Sequence, residues 1–128
     1  MRVDDVCRRL GCNESQRSAV LQSTDFWLTL VQGPPGTGKT QVAAALVRCF
    51  NEEGIRPVLA VATSNTAADN LARRLVQTNV AVRRGGPKER IGHDLHPISM
   101  QHMSAVALVL GTGKSAKTGC GESSRPTV

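Results

Sequence analysis

The chain has 128 residues, with 16 Lys/Arg against 10 Asp/Glu for a formal charge of +6, and is 40% hydrophobic but only 2% aromatic. That length suits one domain whose core is built from Val, Leu and Ala, because Phe26, Trp27 and Phe50 are the only aromatic residues. No apolar run approaches the ~20 residues that span a bilayer, so the sequence contains no candidate membrane helix. The start of the chain is charged and polar, without a leader-like apolar stretch. Cys7, Cys12, Cys49 and Cys120 are therefore expected to be reduced, intracellular thiols. Cys7 and Cys12 with the three histidines make a poor zinc set, since no second tight cysteine pair follows. The basic excess is uneven: residues 65–128 hold nine Lys/Arg against four Asp/Glu. Such a bias suits a phosphate-backbone partner or an ordinary solvated basic surface.

In chain order, residues 1–10 carry Val3, Val6 and Leu10 at helical spacing, which allows a short helix. Asn13 and Gln16 then have the spacing of a capping box, the Asn side chain taking the Gln amide and the Gln side chain reaching back to the cap. Ala19, Val20 and Leu21 give this second helix an apolar face, and Ser23, Thr24 and Asp25 end it.

Residues 28–31 form an apolar, β-prone run leading straight into Gly33, Pro34, Pro35, Gly36, Thr37, Gly38, Lys39 and Thr40. This fits G-x-x-x-x-G-K-[ST]. Glycines let successive backbone N–H groups turn inward toward an anion, and a helix starting at the loop adds the positive end of its dipole. Lys39 has the reach to meet β and γ phosphates, and the Thr40 hydroxyl is the expected Mg2+ ligand. Pro34 and Pro35 stiffen the loop, which lowers the entropy lost on closing around a ligand. Residues 41–50 continue at helical spacing, so the motif sits between a predicted strand and a predicted helix.

Asn51 to Gly54 reads as a helix stop, with Gly54 suited to the left-handed position. Residues 57–62 are almost continuously apolar, the pattern of a strand buried on both faces of a parallel sheet. Thr63, Ser64 and Asn65 stand where that strand meets the next helix, at the sheet edge where ligands of parallel sheets bind. That helix, residues 66–77, is expected to turn Ala67, Ala68, Leu71, Leu75 and Val76 to the sheet, with Asp69, Asn70, Arg73 and Arg74 mostly outward. Residues 80–83 supply a third strand, completing a parallel βαβαβ unit. Residues 104–110 suggest a fourth buried strand. The Gly-Thr-Gly-Lys-Ser run at 111–115 lacks the leading glycine of a second phosphate loop, and residues 114–128 are expected to be disordered.

Three segments combine: Asn-x-x-Gln-x-x-Ala-Val at 13–20, the strand and phosphate loop at 27–40, and Ser-Asn-x-Ala-x-Asp-x-Leu at 64–71, followed by Val-x-Arg-x-Gly. The combination resembles superfamily 1 helicases of the up-frameshift and senataxin-like branch, over residues 10–97. The resemblance implies an α/β, P-loop NTPase (RecA-like) fold, with residues 1–110 as a partial ATP-binding domain and residues 111–128 as a tail. It implies ATP and Mg2+ as cofactors and single-stranded RNA or DNA as partner. Gln16 would read the adenine edge, since an amide offers both a donor and an acceptor. Residues Gly33 to Thr40 would hold phosphates and metal, with Lys39 and Thr40 carrying the chemistry, and Thr63, Ser64 and Asn65 would touch a nucleic-acid backbone.

Gln16 as capping residue and Gln16 as base reader are compatible, as are the cap and contact readings of Ser64 and Asn65. Arg73 and Arg74 read as solvated helix charges. A helicase of this branch also needs an Asp-Glu pair, which the sequence lacks, and a second lobe. A helicase fragment without turnover of its own is therefore expected. A non-catalytic nucleotide- or nucleic-acid-binding module and a AAA-type ATPase fragment are the alternatives.

Overall fold

A computed structural model describes residues 3–100 and the backbone of residues 107–110. Helix α1 (Val3–Arg9) leads into α2 (Glu14–Asp25), and α3 (Lys39–Glu52) starts at the phosphate loop. Strand β1 (Val58–Val61), helix α4 (Asn65–Gln77) and strand β2 (Val82–Gly85) follow. Two 3-10 turns, Lys88–Arg90 and His93–Ile98, precede β3 (Ser99–Met100) and β4 (Ala107–Leu110).

Helix α3 is the centre of the packing. Its Val42, Ala45 and Cys49 pack with Val3, Val6, Cys7 and Val20 of the two preceding helices. On its other side Ala44 and Val47 join Ala72 and Leu75 of α4, Val80, Val82, Ile91 and Leu95. A helix with apolar residues on two sides is buried between layers, and its alanines allow the neighbouring helices to come close. The short α1, on which little rested in the sequence, thus closes one of two cores. Local signals set the ends of the helices as expected: the Asn13 and Gln16 capping box is formed, and Gly54 takes φ 76° after α3.

The sheet departs from expectation. Its order is β1-β4-β2-β3, with β4 antiparallel to both neighbours and β3 parallel to β2. Strands β1 and β2 therefore run in the same direction but one position apart, joined by α4 as a crossover. Residues 107–110, suggested as a fourth strand, fill the gap between them. A continuous three-stranded parallel sheet is not formed, because residues 28–31 are not a strand. Trp27, Leu28 and Leu30 are 97%, 75% and 90% exposed. An apolar, β-prone run becomes a strand only when a sheet edge pairs with it, and here β4 lies against β1 and β2 instead.

Strand β1 is covered on one face only. Val58 and Ala60 pack on the core of α3 and α4, whereas Leu59 and Val61 are 62% and 72% exposed. Helix α4 is also rotated from its predicted face: Ala68, Asp69, Ala72 and Leu75 are buried, while Ala67 and Val76 are exposed. Residues 111–128, expected to form a tail, lie outside the described residues.

Candidate functional site

The phosphate loop enters α3 through two glycines that need left-handed backbone, Gly36 at φ 81° and Gly38 at φ 83°. Gly38 is the N-cap, and no side chain among the described residues caps the helix. The amides of Gln41 and Val42 turn back to the Gly38 carbonyl, at 2.9 and 3.1 Å, so the leading N–H groups of α3 are left for an anion. Lys39 folds over the loop and donates from Nζ to the Gly33 and Pro34 carbonyls, at 2.6 and 3.0 Å. The Thr37 hydroxyl also donates to the Pro34 carbonyl, at 2.7 Å. A Cβ at Gly33 would stand 2.7 Å from that hydroxyl, so a side chain there would displace it from the Pro34 carbonyl. Pro34, Pro35, Thr37, Lys39 and Thr40 are exposed, which leaves the lysine ammonium and the threonine hydroxyl open to a ligand.

Gln16 comes to this loop from α2. Its Oε1 accepts from the Asn13 amide at 2.9 Å, the Asn13 side chain accepts from the Gln16 amide at 2.8 Å, and Gln16 Nε2 donates to the Thr37 carbonyl at 3.1 Å. The capping box and the approach to the loop coexist, since an amide has a second N–H and a second lone pair to spare. A cavity of about 260 Å³ is lined by Ser15, Gln16, Gly33, Pro34, Thr37 and Lys39, with Ala19, Val31 and Val42 as its apolar side. One amide, one ammonium and an apolar wall suit a nucleoside phosphate. Gln41, one turn into α3, then ties the loop helix to two others. Its Nε2 donates to the Leu10 carbonyl at 2.6 Å and its Oε1 accepts from Arg74 at 2.9 Å.

The second segment lies beyond β1. Ser64 is the N-cap of α4, its hydroxyl accepting from the Ala67 amide at 3.1 Å. Thr63 is exposed and Asn65 half-buried. Behind them stands a charge pair that the sequence reading missed. Arg84 of β2 is 0% exposed and donates from Nε to Asp69 Oδ1 at 2.9 Å, while Asp69 Oδ2 accepts from the Gly92 amide at 3.0 Å. Asp69 shares a face with Ala72 at i+3, and a carboxylate on a buried face requires a cationic partner. That was the signal available. Arg73 and Arg74 are not free charges either: Arg73 makes a double hydrogen bond to Asp94, at 2.7 and 3.0 Å, and Arg74 holds Gln41. The bond from Arg73 holds the Asp94 carboxyl below its usual range.

Other titratable groups lie along the side of α3 that faces α1 and α2. Burial pushes the Cys7 thiol up to about 12 and the Cys49 thiol to about 11. Burial also acts upward on Glu52, but hydrogen bonds from Arg9 and Arg48 outweigh it and hold that carboxyl below its ordinary value. Glu52, near the last turn of α3, lies about 20 Å along the helix from the loop, whereas Cys7 meets Cys12, whose sulfur Gln41 approaches at 3.9 Å.

A family model described as an AAA domain, AAA_11, matches residues 11–118. The chain is 43% identical over 84 residues to the regulator of nonsense transcripts 1 of Caenorhabditis elegans, covering 61% of this chain and 8% of that protein. It is 42% identical over 78 residues to a regulator of nonsense transcripts 1 homolog of Arabidopsis thaliana, covering 61% and 6%. It is 39% identical over 84 residues to the ATP-dependent helicase upf1 of Schizosaccharomyces pombe, covering 61% and 9%. The chain thus spans less than a tenth of the length of each of these relatives. No solved structure matches it.

Proposed function

The chain belongs to the AAA_11 family of AAA domains, within the superfamily 1 helicases, and from that premise we propose that it is the ATP-binding part of a helicase that couples hydrolysis to movement along RNA or DNA. Gln16 and Lys39 support the reading most directly. They lie 23 positions apart in sequence, yet both line the same cavity, and the Gln16 amide hydrogen-bonds the loop itself. In this reading Gln16 meets the adenine edge, and Gly33, Pro34, Pro35, Gly36, Thr37 and Gly38 wrap the phosphates. Lys39 leaves the Gly33 and Pro34 carbonyls for the β and γ phosphates, and Thr40 holds Mg2+, which when bound neutralises phosphate charge. Thr63, Ser64 and Asn65 meet the backbone of a single strand. The chain works inside the cell, in cytoplasm or nucleus.

Turnover by these 128 residues alone is negligible, because the sequence holds no Asp-Glu pair to orient an attacking water. A thermal melt with and without Mg-ADP tests the binding half. Nucleotide at ~100 times its dissociation constant adds roughly 2.7 kcal/mol and raises Tm by several degrees in the natural sequence but not in Lys39→Ala. A rise of equal size in Lys39→Ala would refute the assignment of the loop. Steady phosphate release that requires Lys39 and is stimulated by single strands would refute the statement on turnover.

A further inference from the structure

Gln41 follows Thr40 directly, and both ends of its side-chain amide are used. Nε2 donates to the Leu10 carbonyl at 2.6 Å and lies 3.9 Å from Cys12 Sγ, while Oε1 accepts from Arg74 Nη2 at 2.9 Å. A guanidinium carries only donors, so Arg74 fixes which end of the amide faces Leu10. Leu10 closes α1, and the last carbonyls of a helix have no partner within it. Gln41 supplies one. The turn continues through Gly11, at φ 66°, to Asn13, the N-cap of α2, whose amide donates to Gln16 Oε1 at 2.9 Å. Gln16 Nε2 then returns to the loop at the Thr37 carbonyl, 3.1 Å away. The path is closed: from α3 through Gln41 to the turn, through Asn13 and Gln16 to the loop, and through Gly38 back to α3. Both glutamines flank Gly38, since a Cβ there would clash with Gln16 Nε2 and stand 3.8 Å from Gln41 Cβ. Apolar packing holds this end of α2 less closely, because Val20, which joins Val42 and Ala45 in the core, lies a full turn beyond Gln16.

We propose that Gln41, oriented by Arg74, is a positioning residue for base selection: it fixes the turn that carries Gln16, and so sets that amide where it accepts adenine and rejects guanine. The inference rests on the adenine reading of Gln16 given above. Its chemistry is directional. Adenine presents the N7 acceptor beside an N6 donor, whereas guanine presents two acceptors, N7 and O6. An amide tells the two apart only when its remaining N–H and its remaining lone pair both meet the base edge, and hydrogen bonds weaken steeply as that alignment is lost. Phosphates need no such alignment from Gln16, because the loop amides and Lys39 meet them. Loss of Gln41 should therefore blur base choice and spare phosphate binding.

The test uses the full chain with Mg2+ and a fluorescently labelled ADP, displaced in turn by ADP, GDP and inorganic pyrophosphate. Gln41→Met keeps the length of the side chain without its donor or acceptor; it should lower the preference for ADP over GDP about fivefold, the worth of one net hydrogen bond, with pyrophosphate affinity unchanged. Arg74→Met leaves the Gln41 amide free to turn over and should lower the preference about twofold. An unchanged preference in either variant would overturn the inference, as would an equal loss for ADP, GDP and pyrophosphate, the mark of a residue that only supports the loop. Without ligand, Gln41→Met should weaken the nuclear Overhauser contacts between the Gln16 side-chain amide and the Gly38 α-protons, and contacts kept at natural strength would overturn the inference. Absence of any preference for ADP in the natural sequence would instead refute the adenine reading of Gln16. The positioning is then decided by the Overhauser contacts, which sustain it if weakened and overturn it if kept.

Discussion

The two motif-bearing segments of this molecule are held in opposite ways. In the phosphate loop most of the polar contacts are short-range: Lys39 and Thr37 turn back onto carbonyls within six residues, and among the described residues Gln16 alone reaches in from outside. Around Asn65 the contacts span 15 to 23 residues and are anchored on an arginine fully removed from water. The Lys39 ammonium is held by exposed bonds within the loop, which another partner can replace at little cost. The bonds around Arg84 fix geometry, and breaking them leaves a charge unpaired in the interior. One segment is thus held by exposed, local bonds and the other by buried, long-range ones, within one small domain.

Substitutions sharpen this contrast. The largest effect is expected at the buried pair: Arg84→Met should lower stability by about 3–5 kcal/mol in chemical denaturation, since Asp69 would be left buried without a partner. Adding Asp69→Leu should recover most of the loss. Lys39→Ala, by comparison, should leave the denaturation midpoint unchanged, and a large loss there would erase the distinction between the two segments. Gly38→Ala comes next, at about 1–2 kcal/mol, because alanine is strained at positive φ and its Cβ would meet the Gln16 amide. This variant should also lose the nucleotide-induced rise in Tm.

Caps give smaller effects. Asn13→Ala and Ser64→Ala should each cost about 1 kcal/mol, measured from the same midpoints. The pH dependence carries a further, modest term from the far end of α3. Glu52 titrates below its ordinary range when folded, so its contribution is complete at neutral pH and is lost as pH falls through the acid range. Removing both Arg9 and Arg48 should flatten that limb. Cys7 acts in the other direction. Its thiol ionises near 9.0 in the unfolded chain and near 12 in the fold, so stability falls as pH rises between those values, and Cys7→Ala should reduce the decline, leaving the part that Cys49 contributes between 9.0 and about 11. The smallest effect is expected for Leu30→Asp. A residue 90% exposed should tolerate a charge within about 0.5 kcal/mol, whereas a strand paired into the sheet would not.

Much of the site was legible from residues alone because its rules are local. The spacing of Gly33, Gly38, Lys39 and Thr40, the box formed by Asn13 and Gln16, and the Ser64 cap all act within one or two helical turns. The same holds for the left-handed turn at Gly54. The strand at residues 28–31 was misread for the complementary reason. Alternation and β-propensity describe a segment that would fit an edge, and only the rest of the chain decides which edge is available.

What the sequence by itself determined is therefore the phosphate loop, the helix boundaries and the membership of a nucleotide-binding family. Tertiary structure alone decided that β4 lies between β1 and β2, that β1 buries one face, and that Asp69 turns inward to Arg84. The division follows from range. A cap or a glycine turn closes over a few residues and depends on nothing else, whereas a strand pair or a buried charge pair exists only when distant segments meet and the desolvation of each is offset by the other.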